Sequence, residues 1–180
     1  PIHRWDDILF LLERLAPQTS LLPEDRAERA LVLGLSHEIC GQLSLAWNRR
    51  LSMFAPMVAS GQAPEGFVLM AKKYGSTEDD VASADARQIA TLNALAARLK
   101  AQQTAGSEFF VGNSISAVDF YWAAFSNLFD LLPPEKCPMP EQARPMFTSM
   151  ADDVRAAVDP LLIAHRDRIM ASHFKLPMEM

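Results

Sequence analysis

In the segment FFVGNSISAVDFYW, residues 109–122, a hydroxyl on Ser116 precedes a carboxylate on Asp119 by three positions, shortly after Gly112. A serine beside an acid is raw material for nucleophilic catalysis, but that chemistry also needs a base against the hydroxyl. No histidine lies within ten residues of Ser116, so one could come only through the fold. The same spacing is that of a helix capping box. Ser116 as N-cap accepts from the backbone N–H of Asp119 at N3, and the Asp119 carboxylate reaches back to the N–H of Ser116. Ile115 and Phe120 then occupy the two positions of a hydrophobic staple, and the acid sits at the positive end of the helix dipole. The residues are expected to open a helix.

Other chemistry-bearing residues meet similar alternatives. Gly34, Glu38, Gly41 and Leu45 share one face of an expected long helix over residues 24–60. Two glycines inside a helix cost about 1 kcal/mol each relative to alanine, so they need a reason. Either a neighbouring helix packs closely there, the commoner cause, or the face borders a pocket with Glu38 exposed to it. His37 and Cys40 fall on an adjacent face and read as structural. Trp47, Arg49 and Arg50 follow. A guanidinium fork suits a carboxylate ligand, although a solvated surface or a salt bridge to the acidic helices is the plainer expectation. Cys137, in a proline loop without a second cysteine, is not a redox motif. His165-Arg166-Asp167 matches a kinase tripeptide without its downstream Asn or Gly-rich loop. The four histidines show no metal spacing with carboxylates, so no metal is expected.

The elements that must position these residues are helical. The chain has 180 residues, enough for one domain with a core, and is 49% hydrophobic and 22% charged. Its net charge of −5, without a basic block, argues against nucleic acid or an anionic membrane surface as partner. The longest apolar runs, such as ILFLL at 8–12, are too short to span a bilayer. No secretory signal opens the chain, and two distant cysteines suit free thiols in a reducing, cytoplasmic setting. The first residue is Pro, as removal of an initiator Met or membership of a longer chain would each give.

Ile2, Trp5, Ile8, Leu9, Leu12 and Leu15 form one helical stripe that Pro17 ends. Beyond the 24–60 helix, which Pro56 bends or ends, the pattern predicts helices over 65–74, closed by Gly75, and from a cap at Ser76 to Gly106. Others are expected over 117–131, 144–158 and 160–174. Phe109-Phe110-Val111 is the one strand candidate and has no partner. The expectation is an all-α bundle of six or seven helices.

The phrase aromatic–x–Gly–x–x–x–Ser–x–x–Asp at the start of a buried helix, here FFVGNSISAVDFYWAAF, resembles the capping-box signature in the C-terminal domain of glutathione transferases. WDDILFLLERLAPQTSLLPEDRAERA is similar to the last helix of that family's thioredoxin-like domain, its linker and the start of its helical domain. DPLLIAHRDRIMASHFKLP resembles tails of bacterial relatives. The resemblance implies that residues 1–16 are the remnant helix and residues 17–180 a helical domain of the glutathione S-transferase C-terminal type. It implies a pocket for a small hydrophobic ligand or co-substrate along the first long helix, at Gly34, Glu38, Gly41, Leu45 and Trp47. Glutathione itself would be held mainly by the thioredoxin-like domain, and where a Glu/Gln-Ser pair would open its last helix this chain has Arg4 and Trp5.

No cofactor is therefore expected, with glutathione a co-substrate only if that domain is present. The isolated chain is expected not to conjugate glutathione; the alternative is a non-catalytic ligand-binding or protein-interaction module derived from the family. An unrelated helical regulator has no basic recognition helix to support it. The stripe of the first helix, which would rest on the thioredoxin-like sheet, is expected to pack on the bundle or across the two-fold of a homodimer.

Overall fold

A computed structural model describes residues 2–61, 63–75 and 77–178. Among the described residues nine α-helices follow one another: α1 (Trp5–Leu15), α2 (Arg26–Cys40), α3 (Leu45–Ala59), α4 (Glu65–Lys73), α5 (Glu78–Thr104), α6 (Ala117–Phe125), α7 (Arg144–Thr148), α8 (Asp152–Ala156) and α9 (Pro160–His173). Short 3-10 turns lie at Pro17–Thr19, Ser126–Leu128 and Glu141–Ala143, and no strand occurs among the described residues. The all-α expectation holds, and Phe109-Phe110-Val111 lies in a bend.

The helix count exceeds six or seven because two expected helices are each divided. The run 24–60 breaks after Cys40, where Gly41 is extended and Leu43 takes a left-handed backbone with φ 55°. Asn48 stabilises the break by donating from Nδ2 to Leu43 O (2.7 Å) and Ser44 O (2.8 Å). Gly34, Glu38, Gly41 and Leu45 therefore do not share one helix face. A Cβ on Gly41 would lie 2.4 Å from His37 Nδ1 and 2.7 Å from His37 O, so the turn itself requires glycine. Nothing in the structure explains Gly34, whose surroundings are open. The run 144–158 divides at Ser149, whose backbone is extended. Pro56 does not end α3, which continues to Ala59.

Side-chain caps open α2, α5, α6 and α9. Asp25 accepts from the N–H groups of Ala27 and Glu28, and Asp159 from Leu161 with Pro160 at the first helical position. Ser76, the expected cap of α5, lies outside the described residues; Thr77 is the N-cap and accepts from the Asp80 N–H at 3.1 Å. Gly75 and Gly106 follow α4 and α5 with φ of 65° and 86°, the left-handed stops that glycine allows.

The core lies where α5 passes α3 and α9, and where α6 passes α2 and α9. Val32, Ile39, Leu92, Leu95, Leu99, Trp122 and Leu162 meet there. Trp122 is fully buried and its indole N–H donates to Leu162 O at 2.8 Å, so the largest core side chain is also polar-satisfied. A smaller cluster joins Ala123, Leu132, Cys137, Ile169 and Met170. On α1 only Leu9 is buried; Trp5 rests edge-on against Tyr121, which donates from its hydroxyl to Trp5 O at 3.4 Å. No helix among the described residues is long and apolar enough to cross a membrane.

Candidate ligand pocket

The Ser116–Asp119 pair forms the capping box at the start of α6. Asp119 Oδ2 accepts from the Ser116 N–H and from the Ser116 hydroxyl, each at 2.9 Å. Its Oδ1 accepts from the Phe110 N–H at 3.1 Å and lies 2.9 Å from His165 Nε2. His165 thus reaches the site through the fold, as a catalytic reading would require. The order is wrong for nucleophilic catalysis, however. The acid stands between serine and histidine, whereas a triad needs the histidine against the hydroxyl. His165 Nδ1 also faces the Arg168 guanidinium at 2.9 Å; arginine only donates, so Nδ1 is the acceptor of that pair. Ser116, Asp119 and His165 are all buried, and the group is a fastener.

The loop before it is held from the other side. Arg98 donates from Nε to Phe110 O (2.7 Å), and Gln102 from Nε2 to Phe109 O and Gly112 O. Gly112 has φ 62° and leaves room for the Glu28 carboxylate, 3.0 Å from where a Cβ would stand. Of the staple positions, Ile115 packs in the smaller cluster and Phe120 stacks on Phe174, ring centroids 5.9 Å apart. Arg166 likewise has a structural role, bridging to Asp130 Oδ2 and Asp167 Oδ1 at 2.9 Å each.

The five residues expected to line a pocket are dispersed. Gly34 and Glu38 are exposed, and Glu38 borders a shallow depression of about 220 Å3 between α2 and α5. Gly41 forms the turn, Leu45 is core, and Trp47 donates from its indole to Tyr74 O at 2.8 Å. Neighbouring Cys40 donates its thiol to Ser36 O, and burial pushes that thiol up to about 12. It is therefore no nucleophile near neutral pH. Among the described residues no three His, Cys, Asp or Glu side chains gather as metal ligands.

A cavity of about 560 Å3 lies elsewhere, between α3, α4, the end of α6 and the segment 139–147. Met53 and Phe54 of α3, Phe67 and Met70 of α4, Phe125 at the end of α6 and Leu128 just beyond it supply most of one side; Met139, Met146 and Phe147 close the other. The volume is in the ordinary range for a small-molecule site, and the lining is apolar and aromatic. Among the described residues its one charged lining residue is Arg50. A depression of about 510 Å3 beside α1 surrounds Ile2 and Phe10 with Asp7, Glu13, Arg14 and Arg29, a balance of charges that selects no ligand sign.

The adjacent arginines have opposite roles. Arg49 is 1% exposed and donates to three main-chain carbonyls, Leu128 O (2.8 Å), Phe147 O (2.9 Å) and Ser149 O (2.7 Å). Burial lowers its pKa to about 10, still cationic at neutral pH. It fixes the far wall of the cavity to α3. Arg50 is half-buried, within 5.7 Å of the ring centroids of both Tyr74 and Phe125. Neither arginine meets the solvated-surface or salt-bridge expectation.

Sequence reasoning missed this cavity because its walls come from four segments far apart in the chain. One signal was available: four of the nine methionines, Met53, Met70, Met139 and Met146, line it. Comparison with protein-family models, with curated proteins and with solved structures finds no match.

Proposed function

We propose that this chain is a ligand-holding helical domain, resembling the C-terminal domain of glutathione transferases, which takes a small hydrophobic molecule and does not by itself conjugate glutathione. The observation that carries the ligand reading is the Met- and Phe-lined cavity of about 560 Å3. Flexible methionines adapt to varied apolar shapes, as a broad-acceptance pocket requires. The family reading rests on the capping-box loop and the all-α architecture. As a glutathione-transferase-like protein, the chain would contribute the hydrophobic side of a reaction whose thiol is supplied from outside it. The alternative, a binding module derived from the same family, uses the same cavity with no reaction attached.

Binding of 1-dodecanol, followed by displacement of a fluorescent apolar dye, tests the ligand reading. The wild type should bind it saturably, and Ala124→Phe, which fills the cavity, should lose most of that affinity while melting within a few degrees of the wild type. Binding that survives Ala124→Phe, or no binding at all, overturns the reading. Passage of the chain over immobilised glutathione tests the other half: flow-through is expected, and retention with turnover of an electrophile would replace it with an autonomous enzyme.

We also assign a second copy of the chain to the outer row of α1, where Ile8, Leu12 and Leu15 are 43%, 52% and 71% exposed at helical spacing. A homodimer would cover that row.

A further inference from the structure

Among the described residues Arg50 is the only charge on the wall of the cavity, and its hydrogen-bonding state is specific. Nη1 donates to Ala46 O at 3.2 Å, within its own helix. Among the described residues no carboxylate pairs with it, and no acceptor meets Nε–H or Nη2–H. Those two groups share one edge of the guanidinium, the side-on fork that takes a carboxylate with two parallel bonds. The side chain is also held in place. Tyr74 and Phe125 each stand 5.7 Å from it, and Tyr74 is in turn fixed by Trp47, edge-on at 4.6 Å with its indole on Tyr74 O. A cation held against two rings with its fork unused is preorganised for an anion.

We propose that the cavity binds a monocarboxylate with a flexible hydrocarbon body, its carboxylate on the Arg50 fork and its chain among Met53, Met70, Met139 and Met146; the proposal rests on the ligand-holding reading above. A single guanidinium neutralises one charge. A dianionic phosphate head would leave a second charge against an apolar wall, which burial penalises. The body is assigned as flexible because four unbranched methionines repack around a chain more readily than around a rigid plate.

The experiment compares dodecanoate, 1-dodecanol and dodecyl phosphate on the wild type, Arg50→Gln and Arg50→Lys, all below their micellar concentrations. In the wild type, dodecanoate should bind at least about tenfold more tightly than dodecanol, since a charge-assisted bidentate pair is among the stronger hydrogen bonds. Arg50→Gln should abolish that preference while leaving dodecanol affinity within about twofold. Arg50→Lys should restore it only in part. Dodecanol binding in Arg50→Gln reports that the cavity is intact, so loss of fold and loss of the fork are separated. A carboxylate preference that persists in Arg50→Gln overturns the proposal, as does equal binding of acid and alcohol by the wild type. Tighter binding of dodecyl phosphate than of dodecanoate overturns the monocarboxylate assignment. If dodecanol binds and the acid gains nothing, the pocket stands and only the anion assignment falls.

Discussion

At the residue scale, the clearest lesson is how one carboxylate can be fully occupied by structure. Asp119 is 0% exposed and accepts from Ser116 and Phe110 while facing His165, so its own helix cap, the preceding loop and distant α9 meet on its two oxygens. A second aspartate, Asp159, has a simpler role and a testable pH dependence. Its hydrogen bond from Lys100 (2.6 Å), then the N–H of Leu161, hold its pKa below the usual 3.8. A carboxylate with a depressed folded-state pKa stabilises the fold above about pH 4, the unfolded value, and loses that contribution as pH falls through the folded value. Lys100 is 60% exposed, so solvent screens most of the pair's attraction. Asp159→Asn keeps a capping oxygen and removes the charge. It should cost about 0.5 kcal/mol in urea unfolding at pH 7, and the gap to the wild type should close below pH 4. A gap that stayed constant to pH 3 would contradict the assignment.

At the element scale, the α2–α3 junction was only partly legible. Gly41 is a conventional turn residue, but Leu43 is a poor choice for φ 55°. A Cβ-bearing residue in that region costs roughly 1 kcal/mol, and asparagine tolerates it better. Leu43 is 45% exposed, so replacing it forfeits little burial. Leu43→Asn should therefore raise stability by about 0.5–1 kcal/mol, seen as a higher melting temperature with an unchanged denaturant slope. A lower melting temperature would mean that the exposed leucine is covered in solution. The break matters for function because it turns α3 independently of α2. Arg50, Met53 and Phe54 then face α4 and the 139–147 segment, and Arg49 points to the carbonyls of Leu128, Phe147 and Ser149.

At the scale of the whole molecule, α1 has more apolar surface than the bundle covers. Trp5 and Leu9 are directed inward, Trp5 against Tyr121 and His37, so the stripe expected from sequence is divided between two faces. Burying the outer leucines and isoleucine against a second copy would be worth several kcal/mol by area. Sedimentation velocity from about 1 to 100 μM should show a dimer for the wild type and a monomer for Leu12→Glu/Leu15→Glu, with unchanged helical content. A wild-type monomer throughout that range would remove the homodimer.

The sequence by itself determined what depends on near neighbours. The all-α class follows from helical periodicity. The capping box, the glycine stops and the proline at the start of α9 follow from backbone groups that find partners within about four residues. Tertiary structure alone decided the rest. Adjacent Arg49 and Arg50 have the same chemistry and similar local context, yet one is buried on three carbonyls and the other lines a cavity with its fork unused among the described residues. His165 meets Asp119 across 46 positions, the difference of their residue numbers, and no local pattern marks that encounter. The cavity has no sequence signature of its own because its walls come from residues 50–54, 67–70, 124–128 and 139–147, each of which reads locally as ordinary core. Packing alone determines where those surfaces fail to fill the space between them.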